Sequence, residues 1–559
     1  MRDAQISCAR WFFVLALLSF ALPAAGRERA KAPTAEEQRE TPQIAAILDH
    51  IVFNEKRFYL ALKGYSPRVE TYLQYYEPQP ELGDVPTKDA YFLGRLKLGN
   101  YTEEVSFLPS TFGDELRRAP RLRPHLRLNN FAMEPLSLDD DDHFDRQHYK
   151  FEPVRWEYLG DVRCLALDVS PRDASAKGVF KGRIWVEDHD YAIVRLNGTR
   201  LNAPRWKFYV HFECWRENLQ PGLWLPVYVF SQESDISKRL RYKAETRLWG
   251  YDLTAHREQQ EWTNIMVEAP APVHDNSEDT SDYTPLESHR QWTMEAEQNV
   301  LDRLEKARLV APPGPVDKVL ETVINNLRVT NHLDNLPPIH CRVTLTSTLE
   351  SFSLAYTIVL SRGLIDVLPD EPSLAMVLSH ELAHIALGHK LDTKYAFSDR
   401  MQVSDEDVLS SLDVDRPHAD ETTADAKGIE YLKNSPYKDN LAQAGLFLRA
   451  AVDAAPRLTH LFGPHMGNGL TEGSDKLIRM AGLMTGAPAL VPRDVNQIAA
   501  LPMGSRIQVN PWGGTIAFTQ RKSVALVDAS EKLPFRITPI MPYLRPYKAP
   551  EKVEVSAKN

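Results

Sequence analysis

Hydrophobic and polar positions change rhythm along the chain. From about residue 56 to 260, short apolar runs alternate with period two and stop at Gly, Pro, Asp or Asn. Examples are RCLALDVS, VFKGRIWVED, YAIVRLNG, WKFYVHFECW, LWLPVYVFS and LRYKAETRLWGYDL. This texture predicts an antiparallel sheet, and VFKGRIWVEDHDYAIVRL reads as a hairpin turning at EDHD. The aromatic content of the runs suggests one face wrapped around something apolar. The helical pattern QIAAILDHIVFNEKRF just before the strands is a candidate for that body.

The stretch 268–285, EAPAPVHDNSEDTSDYTP, has no apolar period and reads as a linker. Beyond it the period becomes helical in WTMEAEQNVLDRLEKARLV and VDKVLETVINNLRVTNHL. Two β-like runs follow, HCRVTLTST and SLAYTIVLSRGL, and then the helical DEPSLAMVLSHELAHIALGH and ADETTADAKGIEYLKNS. Asp370 is placed to cap the first of these two helices, and Pro372 falls in its first turn. Strand-like runs return in RIQVN, GTIAFTQ, SVALVDA and FRITPIM, as a small sheet or a segment folding back onto another domain. The expected architecture is an α+β multidomain chain. An antiparallel curved β-sheet domain spans 27–265, a linker 266–285, a mostly helical domain with a small sheet 286–495, and a β-rich tail 496–559.

A length of 559 residues exceeds one compact core, which agrees with this division. A formal net charge of −10 without any basic tract gives no reason to expect nucleic-acid binding. Arg2 and Arg10 precede the apolar run WFFVLALLSFALPAA and the small residues before Arg27, the order of a secretory signal cleaved after Gly26. An exported chain with no transmembrane helix in its mature form is the expectation, against the alternative of an uncleaved anchor. Of the cysteines only Cys164, Cys214 and Cys341 follow that signal. At most one disulfide is possible, with Cys164 and Cys214 the candidate pair, and three buried thiols the alternative. The acidic run Ser137 to Asp145 lacks the spacing of a calcium loop and reads as a solvated loop.

Chemistry concentrates in SHELAHIALGH, residues 379–389. On a helix His380 and His384 lie one turn apart on one face and can grip one zinc ion. Glu381 is rotated about 100° from His380, beside the metal, where a carboxylate can take a proton from water. Zinc lowers the pKa of bound water to about 7, so such a site hydrolyses near neutral pH. A third ligand is needed. The HExxHxxGxxH spacing fails, because residues 387 and 390 are Leu387 and Lys390. Two carboxylates stay open: Glu406, and Glu421 in ETTAD. Asp425, one turn beyond Glu421, is placed to hold a ligand histidine from behind.

These residues carry a resemblance. YTIVLSRGLIDVLPDEPSLAMVLSHELAHIALGH followed by ETTADAKGIEYL resembles family forty-eight of the metallopeptidases, the gluzincins that include HtpX, the CAAX prenyl endopeptidase and BepA, over about residues 315–455. The resemblance implies a zincin-type fold and one zinc ion per chain held by His380, His384 and Glu421. It implies Glu381 as base and general acid, Asp425 in support, protein or peptide substrates, and a place in envelope protein quality control. In zincins a strand before the active helix offers its edge to an extended peptide. Here that strand would be Ala355 to Ser361. The family's periplasmic THP segment is replaced by LTEGSDKLIRM, with Glu472 in the histidine's place and His460 and His465 nearby, so the group polarising the scissile carbonyl is unassigned. Residues 145–255 resemble the curved sheets of the outer-membrane lipoprotein-sorting type. That resemblance implies a lipid or lipoprotein partner and sets up the rival reading, a non-catalytic lipid-binding or chaperone-like protein on a peptidase scaffold.

Overall fold

The structure is a computed structural model. It describes residues 42–79, 83–98, 102–107, 138, 144–173, 175, 179–201, 209–234, 240–253, 297–389, 409, 414, 416–463, 466–472, 476–477, 479–491, 507–510, 515–518, 544, 546 and 547. Its contacts divide it into residues 1–46 and 47–559. Of the first unit only the opening of helix α1 (Pro42–Leu62) is described. The proposed signal, the linker, most of the acidic run, Glu406, His465, SVALVDA and FRITPIM lie outside the described residues.

The second unit begins with the rest of α1 and a ten-stranded sheet. Its strands are β1 (Arg68–Gln79), β2 (Gly83–Leu98), β3 (Thr102–Ser106), β4 (Tyr149–Leu159) and β5 (Val162–Pro171). They continue as β6 (Phe180–Glu187), β7 (Ile193–Arg200), β8 (Tyr209–Gln220), β9 (Leu223–Ser234) and β10 (Leu240–Trp249). Strands β4 to β10 form an antiparallel meander, and β10 then pairs with β1, giving the order β3-β2-β1-β10-β9-β8-β7-β6-β5-β4. The expected hairpin is β6–β7, turning at residues 188–190. This is the antiparallel sheet that the period-two runs predict.

Several buried charges in the sheet were invisible in the alternation. Arg195 is fully buried and stacked between Trp185 and Trp215, its guanidinium carbon 4.1 and 4.6 Å from the ring centres. Its Nε donates to Glu213 at 2.7 Å. Arg216 donates from both terminal nitrogens to Glu55 of α1, each at 2.7 Å, and lies over the Phe58 ring. This bidentate pair ties the helix to β8, as expected of the sheet's own helix. Removing one partner strands a buried charge, so Arg216→Ala should cost about 3–5 kcal/mol. Urea unfolding measures this, and joint replacement by Glu55→Leu and Arg216→Met should recover much of the loss.

The remainder of the unit contains α2 (297–306), α3 (Pro315–Thr330), β11 (His340–Thr344), β12 (Glu350–Leu354) and β13 (Thr357–Ser361). Next come α4 (Arg362–Val367), α5 (Glu371–Leu387), α6 (His418–Lys433), α7 (Leu441–Ala454), α8 (Thr459–Phe462) and β14 (Asn468–Gly469). The order of the small sheet is β11-β13-β12-β14. Large sheet and helices share one apolar core, in which Tyr72, Tyr91, Leu93 and Phe107 join Leu304, Ile324 and Leu360. Polar ties reinforce it. Glu70 of β1 accepts from Ser347 Oγ and Arg362 Nη2, both at 3.0 Å, and Asp89 of β2 accepts from Leu461 N at 2.8 Å. In the tail, 507–510 pairs with 515–518 as a short hairpin.

Two expectations are corrected. The strand Ala355 to Ser361 is not an edge: β13 lies between β11 and β12. SLAYTIVLSRGL is the end of β12, a turn at Ala355 and Tyr356, and then β13. The hairpin hid because all five β12 residues are buried, which removes the alternation, and because Ala355 takes the left-handed turn conformation (φ 49°) usually given to Gly or Asn. Of the two readings of the cysteines the structure has the three buried thiols, since Cys164, Cys214 and Cys341 are all free and buried. Among the described residues no helix is long and apolar enough to cross a membrane.

Candidate metal centre

Helix α5 starts where the sequence sets it. Asp370 Oδ1 accepts from Ser373 N at 2.9 Å, capping the first turn. It stops at Gly388, whose φ of 71° only glycine adopts cheaply. That reversal sends His389 back over the last turn, with His389 N donating to His384 O at 3.0 Å. Every residue from Ala375 to His384 is buried, so the helix runs through the core with its polar groups inside. Helix α6 can cross closely because residue 428 is glycine. A Cβ there would lie 3.2 Å from the His380 backbone, tighter than ordinary contact.

This crossing brings the three donors together. His380 Nε2 and His384 Nε2 are 3.0 Å apart, and Glu421 reaches the first with Oε2 at 3.1 Å and the second with Oε1 at 3.3 Å. Neighbouring donors on a tetrahedral zinc with bonds of about 2.0–2.1 Å are separated by about 3.3 Å, so the triangle matches that ion. The far side of each ring is engaged. His380 Nδ1 meets Asp425 Oδ1 at 2.8 Å, and His384 Nδ1 meets His389 Nδ1 at 2.9 Å. Each contact leaves Nε2 aimed at the shared point.

Glu381 lies beside this triangle and is fully buried. Its Oε1 accepts from Ser351 Oγ at 2.7 Å and from Arg479 Nη1 at 2.9 Å. Its Oε2 is buried with no hydrogen-bond partner among the described residues. Arg479 also donates to Ser351 Oγ at 2.6 Å, and its Nε is 3.4 Å from Glu421 Oε2, so one guanidinium faces two carboxylates. Burial works to raise both carboxyls. The Arg479 charge and then the imidazoles outweigh it at Glu381, and imidazole hydrogen bonds and then Arg479 outweigh it at Glu421, leaving both below the usual carboxylate range. Burial drives His384 down to about 4 against its hydrogen bond to Glu421. A neutral imidazole and an ionised carboxylate are the states that ligate a cation.

Five of the residues singled out in the sequence therefore meet at one place: His380, Glu381, His384, Glu421 and Asp425. Glu472 is in strand-like backbone, and its side chain is outside the described residues. His460 is drawn away, with Nδ1 3.0 Å from Asp89. Three participants went unread in the sequence. Arg479 and Ser351 are far from the motif in the chain and have no signature. His389 carried a signal, because a helix ending at Gly388 turns the next residue back. Arg416 is a further link, donating to His389 O at 2.8 Å and to Ser353 O of β12 at 2.7 Å.

Residues 320–404 match the model of peptidase family M48. The matched span holds α5 with both histidines and Glu381, and ends before Glu421, so the third donor rests on the geometry alone. The similarity to a metallopeptidase family is confined to that segment, a minor part of the chain. No curated protein matches the chain. A DUF1329 family protein from Desulfovibrio piger, known from a crystal structure, aligns at 11% identity over 38% of this chain and 93% of its own. Its TM-score is 0.20, too low to bear on fold or function.

Proposed function

We propose that this protein is an exported zinc-dependent metalloendopeptidase that hydrolyses peptide bonds of protein substrates in the cell envelope. The observation that carries the reading is the convergence of His380, His384 and Glu421 donors beside a buried carboxylate oxygen with no partner among the described residues. Bound by those donors, zinc supplies a Lewis acid and brings a water's pKa to about 7. Glu381 Oε2 is the free oxygen that accepts the water's proton and later delivers it to the leaving amine. Ser351 and Arg479 hold the other oxygen, fixing the carboxylate's rotation. Asp425 and His389 orient the two imidazoles.

The test is metal removal. The purified chain should hold close to one zinc by elemental analysis and cleave casein. A chelator such as 1,10-phenanthroline should abolish cleavage, and added zinc should restore it. A metal-free chain that cleaves casein at the full rate contradicts the proposal.

A further inference from the structure

Strand β4 (Tyr149–Leu159) ends the large sheet, with β5 on one side and no strand among the described residues on the other. Its 11 residues make a long free edge, which is a template for another strand. Part of that edge is apolar and wet: Val154, Trp156 and Tyr158 are 40, 45 and 70% exposed. The start of the strand is packed instead. Tyr149 and Phe151 are buried against Phe144, each with its ring centre 5.4 Å from that of Phe144.

Pairing with β5 fixes which side chains share a face. Pro153 is opposite Leu167 and Arg155 opposite Ala166, so Val154 is an extra residue, a bulge that reverses the alternation. Lys150, Glu152, Arg155 and Glu157 therefore lie on one face, and Tyr149, Phe151, Trp156 and Tyr158 on the other. On the charged face Lys150 pairs with Glu152, and Arg155 with Glu157. Such solvent-exposed pairs contribute little, so they can exchange partners readily.

This pattern is complementary to itself. In one antiparallel register Glu152 is opposite the partner's Arg155 and Lys150 opposite the partner's Glu157, each twice by symmetry. The same register sets Phe151 opposite the partner's Trp156 and Tyr149 opposite the partner's Tyr158. No like charges meet, and the exposed aromatic end of each strand lies beside the packed aromatic end of the other. In an unbulged strand these partners, an odd number of residues apart, would point to opposite faces. The bulge is what brings them to the same one. We propose that β4 is a homodimer interface, where two copies of the chain join edge to edge about a two-fold axis at Pro153 and Val154 and make one continuous sheet. The interface is separate from the metal centre and does not depend on the peptidase reading.

The test is sedimentation of the full chain by analytical ultracentrifugation over a range of concentrations. The wild type should associate to a dimer. Glu152→Arg and Arg155→Glu each set like charges against each other twice, and each should raise the dissociation constant at least tenfold. Both side chains are exposed, so the variants should fold, which far-UV circular dichroism checks. Mixing the two single variants sets opposite charges together again and should restore a mixed dimer, which no folding defect would allow. The double exchange Glu152→Arg with Arg155→Glu should restore the dimer as well. A wild-type chain that is monomeric up to about 100 µM overturns the proposal, and leaves Pro153 and the bulge as protection of the edge or the strand to a different protein. A dimer indifferent to both single reversals, or one that neither mixing nor the double exchange restores, overturns it too, because the copies would then join through another surface or register.

Discussion

Glu381→Gln should lower casein cleavage by about 10²–10⁴-fold, the usual worth of a positioned acid–base group, while zinc content stays that of the wild type. The amide is nearly the same size and can still accept from Ser351 and Arg479 through its oxygen, which keeps the packing of a fully buried position. What it loses is the oxygen that has no partner among the described residues, replaced by an NH₂ that cannot take a proton. Because Glu381 is not one of the three converging donors, the metal should remain. Rate and zinc measured on the same preparation separate the two effects. Equal residual rates in variant and wild type would sink the assignment of Glu381 and return the protein to its rival, a binding protein on a peptidase scaffold.

The site was more legible than the fold around it. HExxH on a capped helix and ExxAD on the next are local patterns, and an α-helix fixes what residues four apart do. The large sheet was legible where one face is buried and the other wet, as in the β6–β7 hairpin. Legibility failed where that contrast vanished. Strand β12 is buried throughout, so its five residues carry no period, and the β13 strand beside it was read as an edge although it lies inside the sheet. Arg195 and Arg216 look like surface charges in a string of letters, and only the stacked tryptophans and the Glu55 carboxylate make them core residues. Arg479 is the same case at the site. Its partners Ser351 and Glu381 are about a hundred residues or more away in sequence, and nothing local marks it. The packing of Leu544 against the sheet is of this kind too, because one leucine in a polar, proline-rich stretch has no period at all.

Glu421→Ala should release zinc more completely than any change behind the ligands. The structure gives Glu421 a place that no other described carboxylate takes, within 3.3 Å of both imidazole nitrogens and facing Arg479. Without it, two imidazole nitrogens 3.0 Å apart remain as donors, and Arg479 brings uncompensated positive charge towards the place of a dication. Asp425→Asn removes only the carboxylate behind His380 and should weaken zinc by about 10–100-fold. The order of the two effects, read by competition with a zinc chelator of known affinity, is what identifies a direct ligand. If Glu421→Ala keeps its full metal while Asp425→Asn behaves as expected, the third ligand is another carboxylate, and Glu406 is the one to replace next.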